Sequence, residues 1–218
     1  MIYVSVDIET TGLEPEKNKI LSIGAIIEDT EKKLPYDELP KFYGIILQRE
    51  LVGSPRAITI NKNLISTIAD YLESNKEDKL GFQTTASFYE EDEIVKEFFD
   101  FLFLNGFGYD TSGTTVRIND GRTLPIFGGQ TKSITINVAG KNFGTFDKLF
   151  LQKLPWWNKL IKVRQRVLDP AILYVDWNND NSLPSLNECK ERAKIEGVVT
   201  HDALDDAWDV VKVLRKFY

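Results

Sequence analysis

Along the first fifty residues the apolar positions come in short runs broken by turn-forming residues. "IYVSVDI", "KILSIGAII" and "KFYGIIL" read as three successive strands, separated by "TGLEPEKN" and by an acidic stretch containing proline. Val4, Val6 and Ile8 alternate through the first of them, which predicts a buried strand whose C-terminal end opens on a crevice. The periodicity then changes. "NKNLISTIADYLES" places Leu64, Ile65, Ile68 and Leu72 at helical spacing. "EEDEIVKEFFDFLFLNG" opens with acids and closes on Asn-Gly, as a helix does.

Residues 106–133 break this rhythm and hold six of the 14 glycines. "TTVRINDGRTLPI" reads as a hairpin turning at Asp120-Gly121, so the window is expected to be an insertion in a single domain spanning 1–218. "SITINVAG" restores a strand, and "TFDKLFLQKL" reads as a helix stopped by Pro155. "VLDPAILYV" fits a further strand or a short helix broken at Pro170. "SLNECKERAKI" and "DALDDAWDVVKVLRKF" predict two more helices. Strands first, then helices alternating with strands, gives an α/β fold: a mixed sheet with helices packed on it.

Composition narrows the class. The chain has 218 residues, 42% of them hydrophobic and 28% charged, which suits one sizeable core. The net charge of −6 argues against a broad nucleic-acid-coating surface, while leaving room for contact with phosphates through bound cations. Cys189 is the single cysteine, so no intrachain disulfide forms, and a reducing, cytoplasmic setting is expected. No 18-residue apolar run predicts a membrane span, and the opening residues lack the pattern of a signal peptide. Any histidine chemistry must use His201, the one histidine.

Three acidic stretches carry the candidate chemistry. In "VDIETTGL", Asp7 and Glu9 stand two apart on a strand, on the same side. Such a pair fits a solvated strand end, or half of a metal site in which a cation offsets the repulsion. In "GKNFGTFDKLF", Asp147 falls in the first turn of a helix, where an acid complements the exposed N–H groups or serves a site. In "VVTHDALDDAWDVVKVL", Ala203, Ala207, Val210, Val211 and Leu214 form an apolar stripe. At roughly 100° per residue, Asp206 lies at the margin of that stripe, Asp205 opposite it, and Asp202 and Asp209 mostly toward solvent. His201, just before the helix, fits a cap, a surface residue or a base.

Taken together, "VDIETTGL", "NFGTFDKLF" and "HDALDDAWDV" resemble, in order, the three motifs of the DnaQ-like 3′-to-5′ exonucleases of the DEDDh type. Members include polymerase proofreading subunits, RNase T and oligoribonuclease. "LVGSPRAITINKNLI" and "SLPSLNECKERAKI" are softer matches to segments between those motifs. The resemblance covers most of the chain except residues 106–133. It implies an RNase H-like mixed β-sheet flanked by helices, metal-ligand carboxylates at Asp7, Glu9, Asp147 and Asp206, and a general base at His201. It implies two Mg²⁺ or Mn²⁺ ions, which an all-carboxylate donor set suits. Implied partners are the 3′ ends of single-stranded DNA or RNA, with a nucleoside monophosphate as product.

Substrate contacts are expected at Thr11, Leu13, Asn142 and Phe143. Phe143 and Phe146 each fit base stacking or core packing, the core reading weighing more for Phe146. Trp156 and Trp157 are expected to pack after Pro155. Lys159, Lys162, Arg164 and Arg166 read as a solvated face or a phosphate track. An RNA-trimming enzyme of the same fold, or an inactive nucleic-acid-binding scaffold, are the alternatives to a DNA exonuclease.

Overall fold

The computed structural model describes residues 1–74, 86–107 and 133–218, together with the backbone of two short strands at 114–117 and 123–126. Its centre is a five-stranded sheet. In chain order the strands are β1 (Ile2–Thr10), β2 (Ile20–Asp29), β3 (Lys41–Ile46), β4 (Ser87–Tyr89), β5 (Thr114–Arg117), β6 (Thr123–Ile126), β7 (Ile134–Ile136), β8 (Val138–Ala139) and β9 (Ile161–Val163). The main sheet runs β4-β3-β2-β1-β8, with β1–β2 and β2–β3 antiparallel, and β1–β8 and β3–β4 parallel. β7 and β9 form a separate parallel pair, and β5 pairs antiparallel with β6. The expected turn at Asp120-Gly121 lies outside the described residues.

The helices are α1 (Pro55–Ile60), α2 (Lys62–Glu73), α3 (Ile94–Leu104), α4 (Asp147–Leu151), α5 (Trp157–Leu160), α6 (Ala171–Tyr174), α7 (Leu186–Arg192) and α8 (Ala203–Leu214). None of the described helices is long and apolar enough to cross a membrane. The strand meander and the longer helices follow the hydrophobic pattern. Of the two forms expected for "VLDPAILYV", the structure has the short helix, which starts after Pro170, while Leu168 makes an isolated bridge to Ala139 and no strand. The basic segment 159–166 holds a strand that the charge pattern hides: Ile161, Lys162 and Val163 all pair with β7, but the Lys162 side chain between the two apolar ones is exposed.

β1 lies between β2 and β8, and both of its faces are covered. Val4, Val6 and Ile8 join Ile23, Ala25, Phe42, Phe98 and Leu102 in the core beneath α3. Tyr3 joins Ile26, Leu186, Leu204, Ala207 and Val211 on the opposite face, beneath α7 and α8. Alternation within β1 therefore puts Asp7 and Glu9 on the α8 side.

α8 lies close against the sheet. The Ser5 hydroxyl donates to the Ala207 carbonyl at 2.8 Å in the interior. Gly24, the β2 partner of Asp7, has no room for a side chain, because a Cβ there would overlap the Ala203 carbonyl. Past α8, Arg215 closes on the fully buried Glu28 (3.1 and 2.6 Å), and the Tyr218 and Tyr3 hydroxyls meet at 2.8 Å.

Candidate active site

Each acidic side chain reaches the site by a different local device. Asp7 and Glu9 occupy the C-terminal half of β1, where the β1–β2 register slips between Glu9 and Thr10. Such a bulge re-aims side chains at the end of a strand. β8 ends at Ala139, opposite Ser5, which leaves the upper part of β1 open on that side. Asp147 fills the gap: its Oδ1 accepts the Ile8 N–H at 3.2 Å. A helix-end acid thus replaces the missing strand partner and stands beside the Asp7/Glu9 pair.

The chain reaches Asp147 through a tight turn. A Cβ at Gly140 would lie 2.8 Å from the Val6 carbonyl, and Asn142 is left-handed, with φ of 59°. The Asn142 carbonyl accepts from the N–H groups of Thr145 and Phe146, and its own N–H donates to Asp169 at 2.9 Å.

At the start of α8 the cap is Asp202, not His201. Its carboxylate accepts from the N–H groups of Leu204 and Asp205 (3.0 and 3.1 Å) and from the Tyr43 hydroxyl. His201 is left exposed on a left-handed turn, φ 57°, facing the cleft. Ligand atoms of Glu9, His201 and Asp206 all lie within 4.8 Å of one another. As expected, Asp206 is buried and Asp205 exposed.

The expectation for Asp209 is corrected. It is buried, 4% exposed, and ion-paired with the equally buried Lys190 of α7 and with Lys212. A wheel with one apolar stripe overlooks α7, which covers a second side of α8. Asp202, also expected to face solvent, is half-buried by its capping role and by Tyr43.

A cleft of about 410 Å³ is lined by Asp7, Glu9, Asp206 and His201 at its acidic end. Leu13, Asn142 and Phe146 line it as well. Leu13 is 78% exposed, a large apolar side chain held out into the opening. Two expected substrate contacts are placed elsewhere. Phe143 is fully buried in the core beneath α3, whereas Phe146, the partner expected in the core, reaches the cleft. The reversal follows from the turn at Asn142, which tucks the first ring inward before α4 begins. Thr11 is 1% exposed, its hydroxyl donating to the Val52 carbonyl and accepting the Lys19 N–H. Its work is to hold the loops beside the site.

Sequence reasoning did not pick the wall made by α1. Arg56, Ala57, Ile60 and Asn61 all line the cleft. The local signal was present: Ser54 caps α1 by accepting the Ala57 N–H, and Pro55 opens the helix.

Crowding of acids governs the electrostatics. Burial pushes Asp7 well above the ordinary carboxylate range, and Asp147, Asp206, Glu9 and Asp202 push it further. Glu9 is raised to about 8, chiefly by burial; the Asn61 side chain opposes this, and Asp206 adds to it. Burial lifts Asp147 to about 7. Asp206 rises to about 7 through burial and then the nearby Asp209. Its Oδ1 is buried without a hydrogen-bond partner among the described residues. Buried acceptors at this density, one of them unpartnered, fit a hard divalent cation of the magnesium or manganese class. Asp7, Glu9, Asp147 and Asp206 would hold it.

The mixed sheet and its flanking helices make a DEDDh exonuclease-like fold, and solved structures share it. Exonuclease I from Methylocaldum szegediense superposes with a TM-score of 0.55 at 15% identity, over 99% of this chain and 40% of that one. E. coli exonuclease I in complex with a dT13 oligonucleotide gives 0.53 at 16% identity, with coverages of 99% and 40%. The nuclease domain of 3'hExo, a DEDDh family member bound to rAMP, gives 0.56 at 13% identity, covering 99% of this chain and 90% of that domain. This chain therefore spans about 40% of the length of the exonuclease I structures. No family model matches the sequence, and no curated protein does.

Proposed function

We propose that this chain is a metal-dependent 3′-to-5′ exonuclease that removes nucleoside monophosphates from single-stranded nucleic acid. The observation that carries this reading is the convergence of Asp7, Glu9, Asp147 and Asp206 beside one cleft, with His201 at its mouth. These acids come from three separate elements and serve no ion pair among the described residues. A bound Mg²⁺ or Mn²⁺ pair would supply Lewis-acid activation of the scissile phosphate and of the attacking water.

His201 is exposed beside the cleft and carries the one imidazole of the chain, so it is the side chain suited to take a proton from the attacking water. Its left-handed turn is next to the Asp202 cap of α8. Leu13 and Phe146 offer apolar surface to the terminal base, and Asn142 offers a side-chain amide beside the sugar. Asp147 also fixes β1 through the Ile8 N–H, so it sets the height of Asp7 and Glu9.

The test is digestion of 3′- and 5′-labelled single-stranded DNA and RNA with Mg²⁺, Mn²⁺ or EDTA. Mononucleotides should leave from the 3′ end only when the divalent ion is present. Release from 5′ ends, or activity undiminished by EDTA, would refute the proposal. The ratio of DNA to RNA turnover assigns the sugar preference.

A further inference from the structure

The wall formed by α1 carries an arginine that nothing in the chemistry above uses. Arg56 is exposed, lines the cleft, and has neither an ion pair nor a side-chain hydrogen bond among the described residues. Apart from His201, it is the one basic side chain among the described residues lining a cleft that otherwise holds Asp7, Glu9 and Asp206.

Its position is built. The Ser54 N–H donates to the Thr11 carbonyl at 2.8 Å, and a Cβ on Gly53 would overlap that same oxygen. At the other end of α1, the Asn61 side-chain amide donates to the Thr10 carbonyl at 3.1 Å. The segment 53–61 is thus strapped at both ends to the residues that follow Glu9. Arg56 and Ile60 are one turn apart on the face turned to the cleft. Asn61 sits beside Glu9, and five residues of helical rise place Arg56 about 7.5 Å further along the axis.

The acidic end of the cleft is suited to a metal-neutralised scissile phosphate. A guanidinium displaced from it meets a different anion. On the exonuclease reading, we propose that Arg56 binds the phosphodiester immediately upstream of the scissile one. It thereby makes the enzyme favour substrates that carry a phosphate upstream of the scissile one. A guanidinium is suited to this because its fork donates to two phosphate oxygens at once.

Substrate length tests it directly. A dinucleotide with a free 5′-hydroxyl carries only the scissile phosphate, whereas a trinucleotide carries one more. Arg56→Ala should raise KM for the trinucleotide by about ten- to a hundredfold, the range of a lost charge-assisted hydrogen bond. The kcat should change little, and hydrolysis of the dinucleotide should be unaffected. Adding a 5′-phosphate to the dinucleotide should restore the difference between parent and variant. Arg56→Lys should recover part of the trinucleotide KM, and both variants should keep the parent's unfolding midpoint.

Equal effects of Arg56→Ala on di- and trinucleotides, or a loss confined to kcat, would overturn the assignment. A parent protein that cleaves neither substrate in Mg²⁺ or Mn²⁺ would instead overturn the exonuclease reading, and this inference with it.

Discussion

Replacing Asp206 by asparagine should stabilise the ion-free protein at alkaline pH. The folded-state pKa of Asp206 is raised from 3.8 to about 7. A carboxyl with a raised folded pKa favours the folded state fully below its unfolded pKa, and that contribution disappears as pH climbs through the folded pKa. At about 1.36 kcal/mol per pH unit, the rise corresponds to about 4 kcal/mol lost between pH 4 and pH 8. The substituted amide would carry no charge and lose nothing over that interval. In EDTA, the stability of Asp206→Asn relative to the parent should therefore grow by about 4 kcal/mol from pH 4 to pH 8. For a chain of this length that is roughly 8–16 °C in unfolding midpoint. Thermal and urea denaturation at both pH values measure it. Saturating Mg²⁺ or Mn²⁺ should close most of the gap at pH 8, since an ion held at about 100 times its Kd adds roughly 2.7 kcal/mol to the parent. A gap between the two proteins that stays constant from pH 4 to pH 8 in EDTA would show that Asp206 is not a strained, buried carboxylate.

Gly24→Ala should destabilise the protein by about 1–3 kcal/mol, because the new methyl collides with the Ala203 backbone. It should also weaken divalent-ion binding by moving Asp206 from Asp7; calorimetric titration with Mn²⁺ reads the second effect. Lys190→Ala leaves the buried Asp209 with Lys212 alone, and a cost of about 3 kcal/mol in urea denaturation is expected. His201→Ala should lower kcat by a factor of about 10²–10⁴ with ion binding largely retained. The exposed Asp205 serves as its control: Asp205→Ala should leave both kcat and ion binding near the parent values.

The strands of the first third were legible because burial on both faces of β1 and β2 leaves continuous apolar runs. The acidic set was legible because two of its members share a strand face and a third sits beside a helix stripe. Less legible were features that depend on what a segment packs against. Nothing local distinguishes Phe143 from Phe146; the left-handed Asn142 turn decides which ring goes inside. Asp209 carries no local mark of burial, since its partner Lys190 is 19 residues away on α7. The α1 wall was noticed as a segment, yet its role depends on bonds from Ser54 and Asn61 to the Thr11 and Thr10 carbonyls. β9 hides among basic residues because only two of its side chains face inward.

The strand that carries Asp7 and Glu9 leaves the ribosome well before the helix that carries Asp206. Between them lie roughly 200 residues, some 10–40 s of synthesis at about 5–20 residues per second. Throughout that interval the face of β1 that receives Ser5's bond to Ala207 lacks its α8 cover. Any nascent chain short of α8, or any chain cut ahead of it, therefore lacks the complete carboxylate set. A site assembled this way stays incomplete until α8 has been made and has docked.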